Sequence, residues 1–398
     1  MNPQLLLSYD FPPMGGGIAR MMGELARRYP PGSLVVSTGQ HHGSAEVDAS
    51  LPSRVDRVEI PSRRLRTVQG LLQWSHRAAR LARSIHPELV WCGNLKPAGY
   101  PGRWIRKRVG TPYGILVYGT DLLLLRHRIR HSAIKRAWAR TLIGSASVLV
   151  AISRWTREEA LALLEELGLS SGGVDVRLLL LGTDPEHFRP HIDPASVQVR
   201  YGLPEGRWLL TVARLAAHKG IDTGLQVLAA LRQQHPDLGY LVVGHGDRQS
   251  QLEGLARELG VADRVRFLTS VPDSDLPALY NTAEIYLGLS RPAGLMVEGF
   301  GISLSEASAS GIPVVAGSGG GIPDAVRDGE TGLLVDAEGP EAAIGAVRLL
   351  LEDRELARRL GAEGRRAVES YYNWERVATE LAGIGHEVGK SFPQEVVR

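Results

Sequence analysis

A single cysteine, Cys92, leaves no partner for an internal disulfide, which points to a reducing compartment. No run of about 18 apolar residues is present, so no segment reads as a membrane-spanning helix. The opening MNPQLLLSYDFPPM has no charged n-region and only a short leucine run, and it does not read as a signal peptide. There is no GxGxxG and no Walker lysine, which argues against a nicotinamide cofactor or a P-loop nucleotide. No Asp-x-Asp closes a strand, and no His or Cys cluster has ligand spacing. A tightly held metal is therefore not expected, and Asp273 and Asp275 read as helix caps. Neither an internal repeat nor a low-complexity tract is visible.

What is present suits two domains. The chain has 398 residues, of which 43% are apolar, enough for two cores of about 200 residues each. Short apolar runs alternate with helical stretches, the pattern of parallel sheets with crossover helices. Strands are expected at Gln4–Ser8, Ser33–Ser37, Leu89–Cys92, Tyr113–Val117, Val148–Ile152 and Val176–Leu181. A second set follows at Trp208–Val212, Tyr240–Val243, Val265–Leu268, Ile285–Leu287, Pro313–Ala316 and Gly332–Val335. Two sets of six imply an α/β protein of two Rossmann-like domains. Gly182–Pro204, with its prolines and charges, reads as the linker. Near the end, Glu369–Leu381 reads as a helix begun at Asn373, a good N-cap residue.

Charge divides the same way. Residues 1–182 hold 25 Lys and Arg against 13 Asp and Glu, a net of +12, while the other 216 hold 21 against 30, a net of −9. A basic first half suits an anionic partner, although a solvated basic surface is the plainer alternative. Its densest stretch is Arg126–Arg140, in which Ile129, Ala133, Ala137 and Trp138 can share one helical face. Such a helix can rest on an anionic membrane, or it can be an ordinary surface helix packing Ile and Trp inward.

Several glycine-bearing turns follow strands. Gly15, Gly16 and Gly17 lie between the first strand and a helix, a cradle that lets backbone amides approach a phosphate. Tyr118-Gly119-Thr120-Asp121 follows another strand, where open α/β sheets place ligands; Asp121 more often caps the next helix there. Arg214 and Lys219 follow the strand at Leu209–Val212, and two cations can neutralise a diphosphate. The turn at Gly244–Asp247 reads as a plain one, and Gly317–Pro323 as a loop able to approach phosphate or sugar.

The most informative stretch is Val297–Val315. Glu298 precedes a turn with Gly299 and Gly301, and Glu306 follows eight residues after Glu298. A helix begun near Gly301 aims free amides at the turn and favours an anion. Two carboxylates beside an anion site suit a ligand with hydroxyls and phosphates, as in a nucleotide sugar.

With Arg214, Lys219, Glu298 and Glu306 in place, the chain resembles the retaining glycosyltransferases of family 4. The resemblance covers nearly the whole chain. It is carried by GTDPEHFRP at Gly182–Pro190, ARLAAHKG at Ala213–Gly220, LVVGHGD at Leu241–Asp247, PALYNTAEIYLGLS at Pro277–Ser290, EGFGISLSEA at Glu298–Ala307, GIPVVAGSGGGIPDAVRDGETGLLV at Gly311–Val335 and YYNWERVATEL at Tyr371–Leu381. It implies the GT-B architecture: an acceptor domain at 1–187, a donor domain at 188–372 facing it across a cleft, and a helix and tail at 373–398 crossing back to the first. Domain closure is expected, with hinges near Gly182–Pro190 and before Asn373.

The resemblance also implies roles. Glu306 would hold the ribose hydroxyls, and Glu298 would meet the donor sugar near its reacting face. Amides around Phe300, Gly301, Ile302 and Ser303 would hold sugar or phosphate. Arg214 and Lys219 would bind the diphosphate, with Gly15 and Gly16 opposite, and Val271 would lie by the base. The reaction would be retaining and metal-independent, without a cofactor or an established protein nucleophile. The family commonly has a histidine where this chain has Tyr118, and a phenol can donate a hydrogen bond in its stead. The run Arg291–Val326 is closest to the bacterial phosphatidylinositol-type mannosyltransferases. That implies GDP-mannose as donor, a lipid-linked or glycan acceptor, no nucleic acid, and a cytoplasmic protein able to sit at the inner face of the membrane. A UDP-sugar enzyme and a non-catalytic sugar-nucleotide-binding scaffold are the alternatives.

Overall fold

The computed structural model describes residues 2–59, 64–169 and 173–392. The chain forms two compact units, Met1–Leu179 together with Trp374–Arg398, and Leu180–Asn373. Residues 393–398 of the expected C-terminal helix and tail lie outside the described residues. Each unit is a parallel sheet flanked by helices, the Rossmann-like arrangement expected from the alternating pattern.

The first unit has strands β1 (Gln4–Ser8), β2 (Leu34–Gly39), β3 (Arg54–Val58), β4 (Val90–Cys92), β5 (Tyr113–Val117), β6 (Val148–Ala151) and β7 (Asp175–Leu178), ordered β3-β2-β1-β4-β5-β6-β7. Strands β1, β2, β4, β5 and β6 are buried at every position, as in a sheet covered on both faces. Strand β3 was not expected from the sequence. It reads RVDRV, lies at the sheet edge and is partly exposed, so charge replaces the apolar run that marks its neighbours. Sequence order reverses direction between β1 and β4, which is where open sheets of this kind form a ligand crevice.

The helix Trp374–Ser391 completes this first unit. Its anchor is Gln4, in β1. The Gln4 side-chain oxygen Oε1 accepts from the Tyr29 hydroxyl at 2.5 Å and from Trp91 Nε1 at 2.7 Å. Its amide nitrogen donates to Glu88 Oε1 at 2.7 Å and to the Ala382 carbonyl at 2.9 Å. Glu88 also meets His386 Nδ1 at 3.0 Å. A side chain at Gly385 would collide with the Gln4 amide, so the helix approaches this closely only as glycine.

The second unit has strands β8 (Arg207–Val212), β9 (Leu238–Val243), β10 (Val265–Leu268), β11 (Ile285–Gly288), β12 (Val314–Gly317) and β13 (Leu333–Val335), ordered β10-β9-β8-β11-β12-β13. Here the order reverses between β8 and β11. The segment read as a linker holds a short helix, Ala195–Arg200, and Phe188 is buried. Arg365 ties this segment down by donating to the carbonyls of Pro185, Phe188 and Ala309, at 2.7, 2.8 and 2.8 Å.

Three local expectations are corrected. Arg126–Arg140 is divided between two helices, Thr120–Arg130 and Ala133–Gly144. Ser132 accepts from Lys135 N at 3.3 Å and starts the second helix, as a serine N-cap does. The face expected from Ile129, Ala133, Ala137 and Trp138 is thereby broken: Ile129 is buried, Trp138 half-buried and the two alanines exposed. Asp275 stands before the helix Leu276–Thr282 without capping it. Its carboxylate is taken by Arg200 at 2.6 Å and the Tyr201 hydroxyl at 2.7 Å, because a cation outcompetes a backbone amide. The helix expected to begin at Asn373 does start there, at Trp374, but Glu369 and Ser370 belong to the helix before it, and the Asn373 side-chain amide donates backwards to the Glu369 carbonyl at 3.1 Å.

Candidate functional site

In the second unit the β8–β11 crevice is bridged by an ion pair. The loop after β8 turns through Ala217–Lys219 and presents Lys219; the loop after β11 presents Ser290 and, further on, Glu298. Lys219 Nζ bonds Glu298 Oε2, and Ser290 Oγ donates to the same oxygen at 3.2 Å. Both partners are mostly buried, with side chains 18% and 19% exposed. Burial pushes the Glu298 carboxyl up, and Lys219 more than offsets this, so Glu298 titrates below the usual carboxylate range. His218, next to the lysine, is depressed by burial and then by the charge of Lys219.

Glycine makes this closeness possible. Gly220, at φ 65°, packs so tightly on the Leu289 carbonyl that a β-carbon would overlap it. Gly320, at φ 61°, does the same against the Glu298 carbonyl, and Gly321 N donates to that carbonyl at 2.9 Å. The glycines of Gly317–Pro323, expected to approach a ligand, thus hold the back of the Glu298 loop.

The helix Ile302–Ala309 starts at Gly301, with φ 93°, and has no side-chain cap and no acidic residue in its first turn. Lys219, Glu298, Gly301 and Ser303 line one small crevice with Thr211 and Ser290. The first-turn amides of this helix are thus available to an anion. Ile302 is half-buried. Phe300 is buried and rests near Tyr372, with ring centres 6.3 Å apart, so its side chain belongs to the core and only its backbone can serve a ligand. Glu306 is 3% exposed and accepts the Tyr280 hydroxyl at 2.6 Å. Tyr280 stacks on Tyr286, whose hydroxyl donates to the Val212 carbonyl at 3.2 Å. Arg214 is exposed on the loop after β8, and Val271 is half-exposed on the loop after β10. Sequence reasoning gave no role to Ser290 or Tyr280, because a lone hydroxyl inside an apolar segment carries no spacing signal.

The first unit has a second polar edge. Asn94, after β4, donates to Asp10 Oδ2, after β1, at 3.0 Å, bridging that crevice as Lys219 and Glu298 bridge theirs. Gly15 and Gly16 have open space around them, and Gly16, at φ 112°, precedes the helix Gly17–Arg28. Tyr118 lies at the end of β5. Its hydroxyl donates to the Gly93 carbonyl at 2.6 Å, so the proton expected to serve a ligand is committed to the main chain. Burial, then Asp121 and Asp10, raise its pKa well above that of a free phenol. Asp121 accepts from Tyr118 N at 3.0 Å, closing the turn into the next helix, and burial pushes its carboxyl up to about 6.

Comparison with known proteins places this arrangement. A family model described as glycosyl transferases group 1 matches residues 200–367. The chain is 32% identical over 388 residues to the GDP-mannose-dependent alpha-(1-6)-phosphatidylinositol monomannoside mannosyltransferase of Mycolicibacterium smegmatis, covering 96% of this chain and 97% of that one. It is 34% identical over 309 residues to a D-inositol 3-phosphate glycosyltransferase of Acidothermus cellulolyticus, covering 72% and 64%. Among solved structures, sucrose-phosphate synthase from Thermosynechococcus elongatus superposes with a TM-score of 0.77 at 22% identity, over 98% of this chain and 100% of that one. Anabaena Alr3699/HepE in complex with UDP-glucose gives 0.77 at 18%, over 97% and 99%.

Proposed function

Because the chain belongs to the group 1 glycosyl transferases, with two Rossmann-like units of the GT-B kind, we propose that it transfers mannose from GDP-mannose to a phosphoinositide-type, lipid-linked acceptor with retention at the anomeric carbon. The observation that carries this reading is the Lys219–Glu298 pair at the β8–β11 crevice, beside the uncapped helix start at Gly301. Lys219 and Arg214 meet the diphosphate, and the amides of Gly301–Ser303 add donors. Glu298 meets the sugar, and Glu306 takes the ribose hydroxyls with Phe300 and Ile302 as its backbone neighbours. Val271 borders the base. Gly15, Gly16 and Gly17 offer the first unit's own amides to a phosphate. Positioning and stabilisation of the departing diphosphate then supply the rate, without a metal or cofactor. The names of both relatives carry an inositol phosphate group, which supports that acceptor class.

No described helix is long and apolar enough to cross a membrane. A lipid-linked acceptor would then be reached from the membrane surface, with Arg126–Arg140 as the basic contact and the cytoplasmic face as the site of action.

The test is a thermal-shift screen of GDP-mannose, UDP-glucose, UDP-GlcNAc and ADP-glucose, followed by a product assay with the hit. GDP-mannose is expected to stabilise most, by about 2.7 kcal/mol at a hundredfold excess over Kd. A larger shift with a UDP-sugar would move the donor to that class. A second reading, a non-catalytic sugar-nucleotide-binding homologue, is favoured by one observation, the commitment of the Tyr118 proton to Gly93. Binding of every donor without release of nucleoside diphosphate would select it.

A further inference from the structure

Two loops of the second unit are stitched together behind the Lys219–Glu298 pair, and Ser290 carries the stitch to the carboxylate. Arg291 N donates to the His218 carbonyl at 2.9 Å, one residue before Lys219. The Arg291 guanidinium grips Asp222 bidentately, at 3.1 and 2.5 Å, and reaches Thr223 Oγ1 at 2.9 Å. Asp222 and Thr223 lie in the first turn of the helix Ile221–Leu231, which follows Lys219 and Gly220. The loop after β8 is thus tied to the loop after β11 on both sides of Lys219.

Ser290 is held from its own side as well. Its N–H donates to the Gly288 carbonyl at 2.9 Å. A β-carbon on Gly317 would overlap the Ser290 carbonyl, as one on Gly220 would overlap that of Leu289, so glycine clamps two successive carbonyls of this loop. Ser290 is 5% exposed, and its hydroxyl donates to Glu298 Oε2 at 3.2 Å.

What that hydroxyl adds follows from the chemistry of the pair. The last torsion of a glutamate is soft and nearly two-fold, and a lysine ammonium is a point charge with rotatable donors. Lys219 alone therefore neutralises the carboxylate without fixing its plane, and a second donor on the same oxygen fixes it. Both protein donors converge on Oε2, and among the described residues no donor bonds Oε1. The main-chain carbonyl of Glu298 is taken by Gly321 N, which anchors the residue behind the carboxylate. Burial raises the Glu298 carboxyl, and Lys219, then His218 and Ser290, bring it down.

We propose that Ser290 is a positioning residue for sugar transfer: with Lys219 it commits Oε2 of Glu298 and leaves Oε1 as the atom presented to a donor-sugar hydroxyl. The inference rests on the proposed function in assigning Glu298 to the sugar. Ser290 acts through Glu298 and not on the substrate.

The experiment uses the full chain, Ser290→Ala and, as a control, Ser305→Ala. Ser305 is a buried serine of the helix Ile302–Ala309 whose hydroxyl bonds nothing among the described residues, so its removal reports the loss of a buried hydroxyl and no more. Steady-state release of nucleoside diphosphate from GDP-mannose, and in parallel from UDP-glucose, is followed from pH 4 to pH 9. Ser290→Ala is expected to lower kcat about tenfold with KM changed by less than about threefold, since orientation is lost and affinity is not. The acidic limb of its kcat/KM profile is expected to move up by about one pH unit, because the carboxylate has lost a donor. Ser305→Ala is expected to keep the wild-type profile. An unmoved acidic limb in Ser290→Ala, or an equal shift in Ser305→Ala, would overturn the proposal. The Glu298 carboxyl is also titrated in the unliganded proteins by carbon-13 NMR, with Glu298→Gln to assign it. Ser290→Ala is expected to titrate higher than the wild type by a similar amount, and an identical midpoint would overturn the proposal even without turnover. A shifted midpoint in a protein that turns over neither donor would sink the donor reading and leave the Ser290–Glu298 linkage standing.

Discussion

Tyr280 donates its phenolic hydrogen to Glu306 Oε2 at 2.6 Å, and both residues are sealed from solvent. On the proposed function, this bond holds the Glu306 carboxylate in a set orientation for the two hydroxyls of a ribose. Tyr280→Phe removes a hydrogen bond to a charged group, worth about 1.5–3 kcal/mol. GDP or UDP affinity is expected to fall about tenfold, with kcat falling less. The diagnostic comparison uses 2′- and 3′-deoxy nucleoside diphosphates. Their disadvantage against the ribose form is expected to shrink in Tyr280→Phe. An unchanged disadvantage would show that Glu306 binds ribose without help from Tyr280, or not at all.

Glu298 and Lys219 should separate activity from stability. Glu298→Ala is expected to lower kcat by at least about a hundredfold while the protein stays folded. Lys219→Met leaves a mostly buried carboxylate without its cation and is expected to destabilise by about 2–3 kcal/mol. The Glu298 pKa rises with it, so the variant loses further stability as pH rises through the new value. Chemical denaturation at pH 5 and pH 8 measures this, and equal losses at both would contradict the ion-pair account.

Asp121 gives a pH signature of opposite sense to an ordinary paired carboxylate. Its folded pKa of about 6 lies above the unfolded value of 3.8. The folded state therefore binds the proton more tightly, and stability falls as pH rises from about 4 to about 6. Asp121→Asn keeps an acceptor for Tyr118 N and removes the charge. It is expected to stabilise the protein by about 2–3 kcal/mol at pH 7, and by nothing at pH 4. A constant difference across that range would contradict the assignment.

Gln4→Ala leaves the Tyr29 hydroxyl without this acceptor, leaves Trp91 Nε1 with only Tyr29 at 3.2 Å, and removes one of the two donors to Glu88, which keeps His386. Unsatisfied buried groups cost about 1–3 kcal/mol each. A loss of about 1–3 kcal/mol is expected, read as earlier unfolding of the first unit by hydrogen exchange. Protection lost evenly across both units would argue against this local anchor.

Most strands were legible in the sequence because both faces of each are covered, which writes a continuous apolar run. Arg54–Val58 was not, since an edge strand needs no such run. The Glu298–Glu306 stretch was legible because a glycine turn, a helix start and two acids fall within one short segment. Lys219 was legible from its place after a strand. The partnership between Lys219 and Glu298, 79 residues apart, was not, since spacing along the chain says nothing of two loops flanking a sheet reversal. Tyr118 marks the same boundary. Its position at a strand end could be read, but the direction of its proton could not, because Gly93 is brought to it only by the pairing of β4 with β5. The basic segment was legible as composition alone: Arg126 and Arg130 are spent on Glu159 and Glu166, which lie 33 to 40 residues downstream on another helix.

The bond from Gln4 to Ala382 spans 378 residues. At about 5–20 residues per second, synthesis separates the two by tens of seconds. During that interval the whole second unit emerges and can fold, while the first sheet waits for the Ala382 carbonyl that completes the Gln4 carboxamide's bonds. The first unit to leave the ribosome is thus the last to be finished. A nascent chain stalled at Trp374 carries a whole second unit and a first unit that still lacks its closing helix.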